Sequence, residues 1–291
     1  MLFARQVLSV ITFVLVCLPA LQPRATGREP LWVAEKDGTR VYLVGSLHVL
    51  PRSVSPAKPA LISAFNDSQR VFFEIATAGS ASSEIDDFFR RNGTYQNSDR
   101  LERHLTADAR DMVKLVLPLF NLRWEDVQNH KPWLLGLRLQ QSLMKSRGFA
   151  ARAGVDDYFE SLAQKKGKPI AGLETAREHI GFFSAMSDAE QSASLVEDIE
   201  GLVWLRQDLE MMGRMWQLGA VDVFEKGLAS HQKSKQGRRL FRDRNMRWVP
   251  QIVHLLQGKE NAMVIVGLGH LVGDDGLVTL LRARGYAVHQ M

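Results

Sequence analysis

The sequence predicts an α/β fold: a central mixed sheet with a large helical insertion and an active-site cleft at the carboxyl ends of its strands. Three observations predict it. The chain opens as a hairpin, a helix and a strand. Apolar strands that run into Gly-x-x-His occur near both its beginning and its end. The middle of the chain between them reads as helical. Open α/β sheets bury apolar strands under helices and place their sites outside the strands' carboxyl ends.

The composition allows such a core. The 291 residues are 45% hydrophobic and 24% charged, ordinary for a globular chain. Residues 1–25 read as a signal peptide, with cleavage somewhere in 20–27. Arg5 precedes the apolar run Val7–Leu18, and Pro19 and Ala20 follow it. A basic start, a short apolar core and small residues beyond it are the marks of a secretory leader. The run is short for a membrane span, so the expected location is secreted or periplasmic, with an anchor only if the leader stays attached. No later run reaches spanning length. The only cysteine, Cys17, lies in the leader, so the mature chain is expected to use neither disulfides nor thiolate chemistry. Loss of Arg5 and Arg24 lowers the formal charge of +5 by two, too weak a bias to imply nucleic acid.

Residues 28–291 read as one domain, helical in its middle at about 101–166 and 175–257. Strands at 31–34 and 39–45 flank Asp37-Gly38, a dipeptide suited to hairpin turns. A helix at 56–65 and a buried strand at 70–75 follow. The Gly/Ser/Ala/Asn-rich stretch 76–98 reads as a loop with at most a short helix near 84–89. Helices then run from Thr106 toward Leu117, over 133–147 and over 155–166, the last stopped by Gly167. After a strand at 169–173, Thr175 caps a helix to Ser184. Ser187 with Glu190 forms a capping box for a long helix toward Leu218. A helix at 238–257, a strand at 262–266, a helix at 275–284 and a strand at 286–289 complete the reading.

Two segments share one pattern. Tyr42-Leu-Val-Gly45-Ser-Leu-His48 and Val264-Ile-Val-Gly267-Leu-Gly-His270 are apolar strands that deliver a histidine at their carboxyl end. Glycine is expected to let each chain turn sharply there. Glu74 ends a third apolar run, Val71-Phe-Phe-Glu74, where a carboxylate needs a partner. His48, Glu74 and His270 could together form a two-histidine, one-carboxylate set with open positions for water.

Other residues carry two readings each. Glu174 is either a second acid at the same edge, acting as base or as outer partner to a histidine, or an acid favoured by a helix N-terminus. Arg244 and Asn245 lie in a basic run, 233–247, that reads as a solvated helix face. Alternatively, Arg244 points inward to neutralise the acids or bind a tetrahedral intermediate. Asp156 either caps its helix or reaches the site. The remaining histidines lack the strand-end context and read as ordinary surface or interface residues.

Leu31-Trp-Val-Ala, Val41-Tyr-Leu-Val-Gly-Ser-Leu-His48-Val-Leu-Pro, Lys131-Pro-Trp, Gly154-Val-Asp156, Gly167-Lys-Pro-Ile-Ala-Gly-Leu-Glu174-Thr, Arg244-Asn-x-x-Trp248 and Gly267-Leu-Gly-His270-Leu-Val-Gly-Asp-Asp-Gly-Leu occur in this order. Together they resemble the TraB/GumN family across nearly all of 31–291. The resemblance implies kinship with Tiki proteases, described as metal-dependent (Mn²⁺ or Co²⁺), whose paired motifs map onto Gly45/His48 and Gly267/His270 and whose strand acid maps onto Glu74. Other relatives include a plasmid pheromone-shutdown protein and a protein encoded with xanthan genes. The superfamily also resembles erythromycin esterase, in which hydrolysis need not use a metal. Ser46 stands where the family usually has threonine.

The expected function is therefore an exported, metal-dependent, peptidase-like hydrolase. His48, Glu74 and His270 would hold Mn, Co or Zn, while Glu174 or Glu74 moves the proton; Gly45, Gly267, Asn245 and Asp156 support the motifs. The alternative is a non-catalytic periplasmic protein that captures a peptide or saccharide in the same cleft.

Overall fold

The computed structural model describes residues 28–51, 53–76, 81–146, 154–202 and 205–291. The leader, its cleavage region and Cys17 lie outside the described residues. In chain order the first elements are β1 (Leu31–Lys36), β2 (Thr39–Ser46), α1 (Pro59–Asp67), β3 (Arg70–Phe73), α2 (Ala81–Asn92), α3 (Ala107–Val116) and α4 (Pro132–Ser146). There follow α5 (Val155–Lys166), β4 (Ile170–Gly172), α6 (Ala176–Ser184), α7 (Asp188–Leu202), α8 (Leu205–Leu218) and α9 (Val221–Lys233). The last are α10 (Asp243–Leu256), β5 (Ala262–Gly267), α11 (Leu277–Arg282) and β6 (Ala287–Gln290). The fold is α/β, with a mixed six-stranded sheet ordered β4-β3-β5-β2-β1-β6. Among the described residues, no helix is long and apolar enough to cross a membrane.

The sequence reading differs from the structure in two places. Residues 76–98 contain a full helix, α2, rather than a short one. Their small polar residues suggested a loop, but Arg90 and Arg91 in the last turn suit a helix C-terminus. The long helix toward Leu218 is described as α7 and α8, on either side of residues 203–204, which lie outside the described residues. Helix α9 was not foreseen; its N-cap is Ala220, which offers no capping side chain.

Two compact units divide the chain. The helical unit takes its described residues from 77–151 and 176–207. Its core joins Leu101, Leu105, Ala109, Val113, Leu117 and Leu135 to Leu139, Leu195 and Ile199. Thr106 caps α3 by accepting the Ala109 N–H at 3.3 Å. The Ser187 capping box is present: Glu190 N–H donates to Ser187 Oγ at 3.3 Å and Ser187 N–H donates to Glu190 Oε2 at 2.9 Å.

Within this unit Asp198 accepts a hydrogen bond from Gln140 Nε2 at 2.8 Å. Burial, with Glu197 adding repulsion and Gln140 opposing, pushes the Asp198 carboxyl up to about 7. The folded chain therefore holds a proton that the unfolded chain releases near pH 4. Stability from this group is complete below about pH 4 and is lost as pH rises to about 7. Asp198→Asn is expected to be about 2 kcal/mol more stable than wild type at pH 8 and to lack that slope, as urea denaturation at pH 5 and pH 8 would show.

The sheet unit takes its described residues from 28–76, 154–175 and 208–291. Asp37 and Gly38 both have positive φ, as a tight primed turn between β1 and β2 requires. Strands β4, β3, β5 and β2 are mutually parallel, while β1 runs antiparallel to both β2 and β6. Every residue of β5 is buried, as expected of a central parallel strand covered on both faces. Helix α5 packs on β3 and β4, and α10 packs on β1 and β2.

Candidate functional site

Sheet register assembles the site. Ser46 on β2 pairs with Gly267 on β5, so both Gly-x-x-His segments leave the sheet at the same end. Pairing of β3 with β4 continues past the strands, where Leu173 N–H donates to Phe73 O at 2.8 Å and Glu174 N–H to Glu74 O at 3.0 Å. The two carboxylates thus emerge side by side at that same edge.

Neither motif glycine adopts left-handed backbone, and Gly45 serves close packing. Gly45 and Gly267 both have ordinary φ. A Cβ on Gly45 would come 2.4 Å from Leu268 Cδ1, so the residue must be small for the second motif to lie against the first. Its carbonyl accepts the Trp216 indole N–H at 2.7 Å. Gly267 contributes through its backbone, donating its N–H to Glu74 Oε1 at 2.8 Å.

Arg244 stands at the centre of a buried network. Its Nη2 donates to Glu74 Oε2 and Glu174 Oε1, each at 2.6 Å. Its Nε donates to both Glu174 oxygens at 3.1 and 3.2 Å. Its Nη1 reaches His270 Nε2 at 2.9 Å and Leu240 O at 3.4 Å. These contacts use all five guanidinium N–H groups. The Arg244 guanidinium also lies 4.6 Å from the centre of the Trp248 ring. Burial opposes its charge, but Glu74 and Glu174 outweigh that penalty and raise its pKa.

Of the two readings of Arg244, the inward one holds. Its donors neutralise the acids, and none remains to bind a tetrahedral intermediate. The solvated reading describes its neighbours instead: Lys233, Lys235, Arg238, Arg242 and Arg247 are exposed. Glu174 is likewise a buried partner of Arg244 rather than only an acid at a helix start.

Asn245 sets the state of His270. Its Nδ2 donates to the carbonyls of His270 at 3.1 Å and Asp275 at 2.8 Å, so its Oδ1 faces His270 Nδ1 at 2.8 Å. Nδ1 of His270 must then carry the proton, leaving Nε2 as the acceptor for Arg244. The rings of Trp248 and Phe241 pack against the imidazole at centroid distances of 4.5 and 5.1 Å. Sequence reasoning missed both aromatic contacts, although Trp248 falls one turn beyond Arg244.

His48 belongs to a second, more open pair. Its Nδ1 lies 2.9 Å from Asp156 Oδ2, so Asp156 reaches the site; the N-cap of α5 is Gly154. A Cβ on Gly154 would come 2.4 Å from His48 O and 2.7 Å from Asp156 Oδ1, which holds this position to glycine. Val155 N–H donates to Leu47 O at 3.0 Å and ties the helix start to the His48 loop. Burial disfavours the His48 cation, but Asp156, with help from Glu74 and Asp157, overcomes it and pushes His48 up to about 9.

Exposure separates the two groups. The side chains of His48 and Asp156 are 14% and 22% exposed. Those of Arg244, Glu74, Glu174 and His270 are 3%, 7%, 2% and 0% exposed. His48 and Asp156 therefore form the solvent-facing part, backed by the Arg244 network. Among the described residues, the buried atoms Asp156 Oδ1 and Ser46 Oγ have no hydrogen-bond partner.

Two imidazoles and a carboxylate are the donor types that hold a divalent cation, although the ligand atoms of His48, Glu74 and His270 are not gathered within 4.8 Å of one another in this structure. Two imidazoles each have Nδ1 engaged by an oxygen, as metal-ligating histidines commonly do, and Glu74 Oε1 lies 3.8 Å from His270 Nε2. The orphaned Asp156 oxygen adds an acceptor beside His48. A model of the TraB/PrgY/gumN family matches residues 30–290. No curated protein matches the chain at a significant level.

Proposed function

This chain belongs to the TraB/PrgY/gumN family, and from that premise we propose that it is an exported, peptidase-like hydrolase. The observation that carries this reading is the oriented network of Glu74, Glu174, Arg244, Asn245 and His270 behind the more accessible His48–Asp156 pair. Burying two carboxylates and a guanidinium is costly. A hydrophobic core alone would not require a histidine whose tautomer is fixed through three further contacts.

In this reading His48, Glu74 and His270 hold a divalent cation of the Mn, Co or Zn type. When bound, such an ion polarises a carbonyl and brings its water toward a pKa of about 7. The chain's own residues do the rest. Asp156 fixes the His48 ring, and Asn245 fixes that of His270. Glu174 anchors Arg244 and is a positioning group. Glu74 either ligates or carries the proton, and His48 meets the substrate. The substrate is a peptide or saccharide bond reached from the carboxyl edge of the sheet.

A mass-resolved peptide mixture and a set of simple esters, incubated with the protein and Mn²⁺, Co²⁺ or Zn²⁺, test the proposal. Cleavage by wild type, its loss in His48→Ala and its suppression by chelator are expected. Binding of a ligand without turnover under every condition would overturn the hydrolase. Turnover that survives exhaustive chelation would retain the hydrolase and remove the metal.

A further inference from the structure

We propose that Arg244 is the resident cation of this centre and that it competes with a divalent ion for His270. The inference rests on the metal-dependent reading above and concerns what must change for an ion to enter. His270 Nε2 has a single lone pair, and in this structure that lone pair faces Arg244 Nη1 at 2.9 Å. One lone pair accepts an N–H or binds an ion, not both.

His270 cannot readily offer its other nitrogen. Nδ1 is engaged by Asn245, whose amide is held by two backbone carbonyls. Phe241 and Trp248 pack against the ring, which is fully buried. Arg244, by contrast, can release His270 without becoming unpaired. It keeps Glu174 through Nε and Nη2 and the face of Trp248. Glu74 holds Gly267 through Oε1 and Arg244 through Oε2. An ion at Nε2 must therefore displace the contact from Arg244 Nη1. Arg244 thereby sets the centre's metal affinity while preserving its charge balance when no ion is bound.

Arg244→Lys is the first test. It keeps one positive charge beside Glu74 and Glu174 but lacks the planar fork that spans three side-chain partners, so His270 Nε2 is released. Affinity for Mn²⁺ and Co²⁺, measured by calorimetry on the purified full chain, is expected to rise at least about 10-fold over wild type, or about 1.4 kcal/mol. Arg244→Gln should bind more tightly still, and its melting temperature should rise more on adding Mn²⁺ than that of wild type. If Arg244→Gln does not fold without metal, folding on addition of Mn²⁺ supports the same conclusion. In wild type, the guanidinium NMR signals of Arg244 should shift as Co²⁺ or Mn²⁺ is added.

Unchanged or weaker affinity in folded Arg244→Lys would overturn the competition. If wild-type turnover still required metal, the functional reading would survive that result. No binding of either ion to wild type or variants would overturn the competition, and chelator-resistant turnover would then remove the metal from the functional reading too.

Discussion

Glu74→Gln is expected to remain folded, to lose about 2–4 kcal/mol of stability, and to lose at least about 100-fold in hydrolysis. The stability loss follows from contacts made by both carboxylate oxygens. Oε1 accepts the Gly267 N–H and Oε2 accepts Arg244 Nη2. Glutamine replaces one oxygen with an amide donor, which must then face another donor. A buried hydrogen bond to a charged group is worth about 1.5–3 kcal/mol, and leaving the partner unsatisfied adds to the loss. The chain should still fold because Glu174 continues to balance Arg244. The activity loss follows from removing the acid at the proposed centre. Urea denaturation reads the first effect, and turnover on a peptide cleaved by wild type reads the second. Wild-type stability would show that Glu74 does not anchor the network, and full turnover in a folded variant would remove it from the mechanism.

Trp248→Ala is expected to cost about 3–5 kcal/mol, the range for deleting a buried aromatic ring. Trp248 is fully buried, lies beneath the Arg244 guanidinium and packs against the His270 imidazole. Its removal opens a cavity under both, so hydrolysis should fall as well. The melting temperature should drop by roughly 6–20 °C for a chain of this size. Trp248→Phe, which keeps an aromatic face, should recover more than half of the lost stability. An alanine variant within about 1 kcal/mol of wild type would show that the site does not depend on this ring.

The common sheet edge was legible because His48, Glu74 and His270 each follow an apolar strand, and parallel strands deliver such residues to one end. Arg244 and Asn245 were ambiguous because their neighbours are basic. A sharper signal was present in the spacing. Leu240, Phe241, Trp248, Val249 and Ile252 form a buried stripe at helical intervals, with Arg244 and Asn245 one turn from members on either side. Polar residues on an apolar stripe need partners inside. The choice between the two roles of Asp156 was not legible. Contact between the start of α5 and the His48 loop depends on tertiary packing, and Gly154 alone hinted at it. Helix α9 lacked a capping signal. Its buried Val221, Phe224 and Leu228 were the remaining periodic cue.

The place of β5 in the sheet governs when the buried Arg244 network can first form. This strand comes late in the chain yet lies between β3 and β2, both made early. During synthesis β2 and β3 must leave a strand-wide gap, and direct pairing between them would be an error. The Glu74–Gly267 hydrogen bond spans 193 residues, a separation that favours slow folding. A nascent chain ending before Ala262 carries His48, Glu74, Glu174 and Arg244 but has neither the central strand nor His270. An unfinished chain therefore lacks the strand and the histidine around which the Arg244 network assembles.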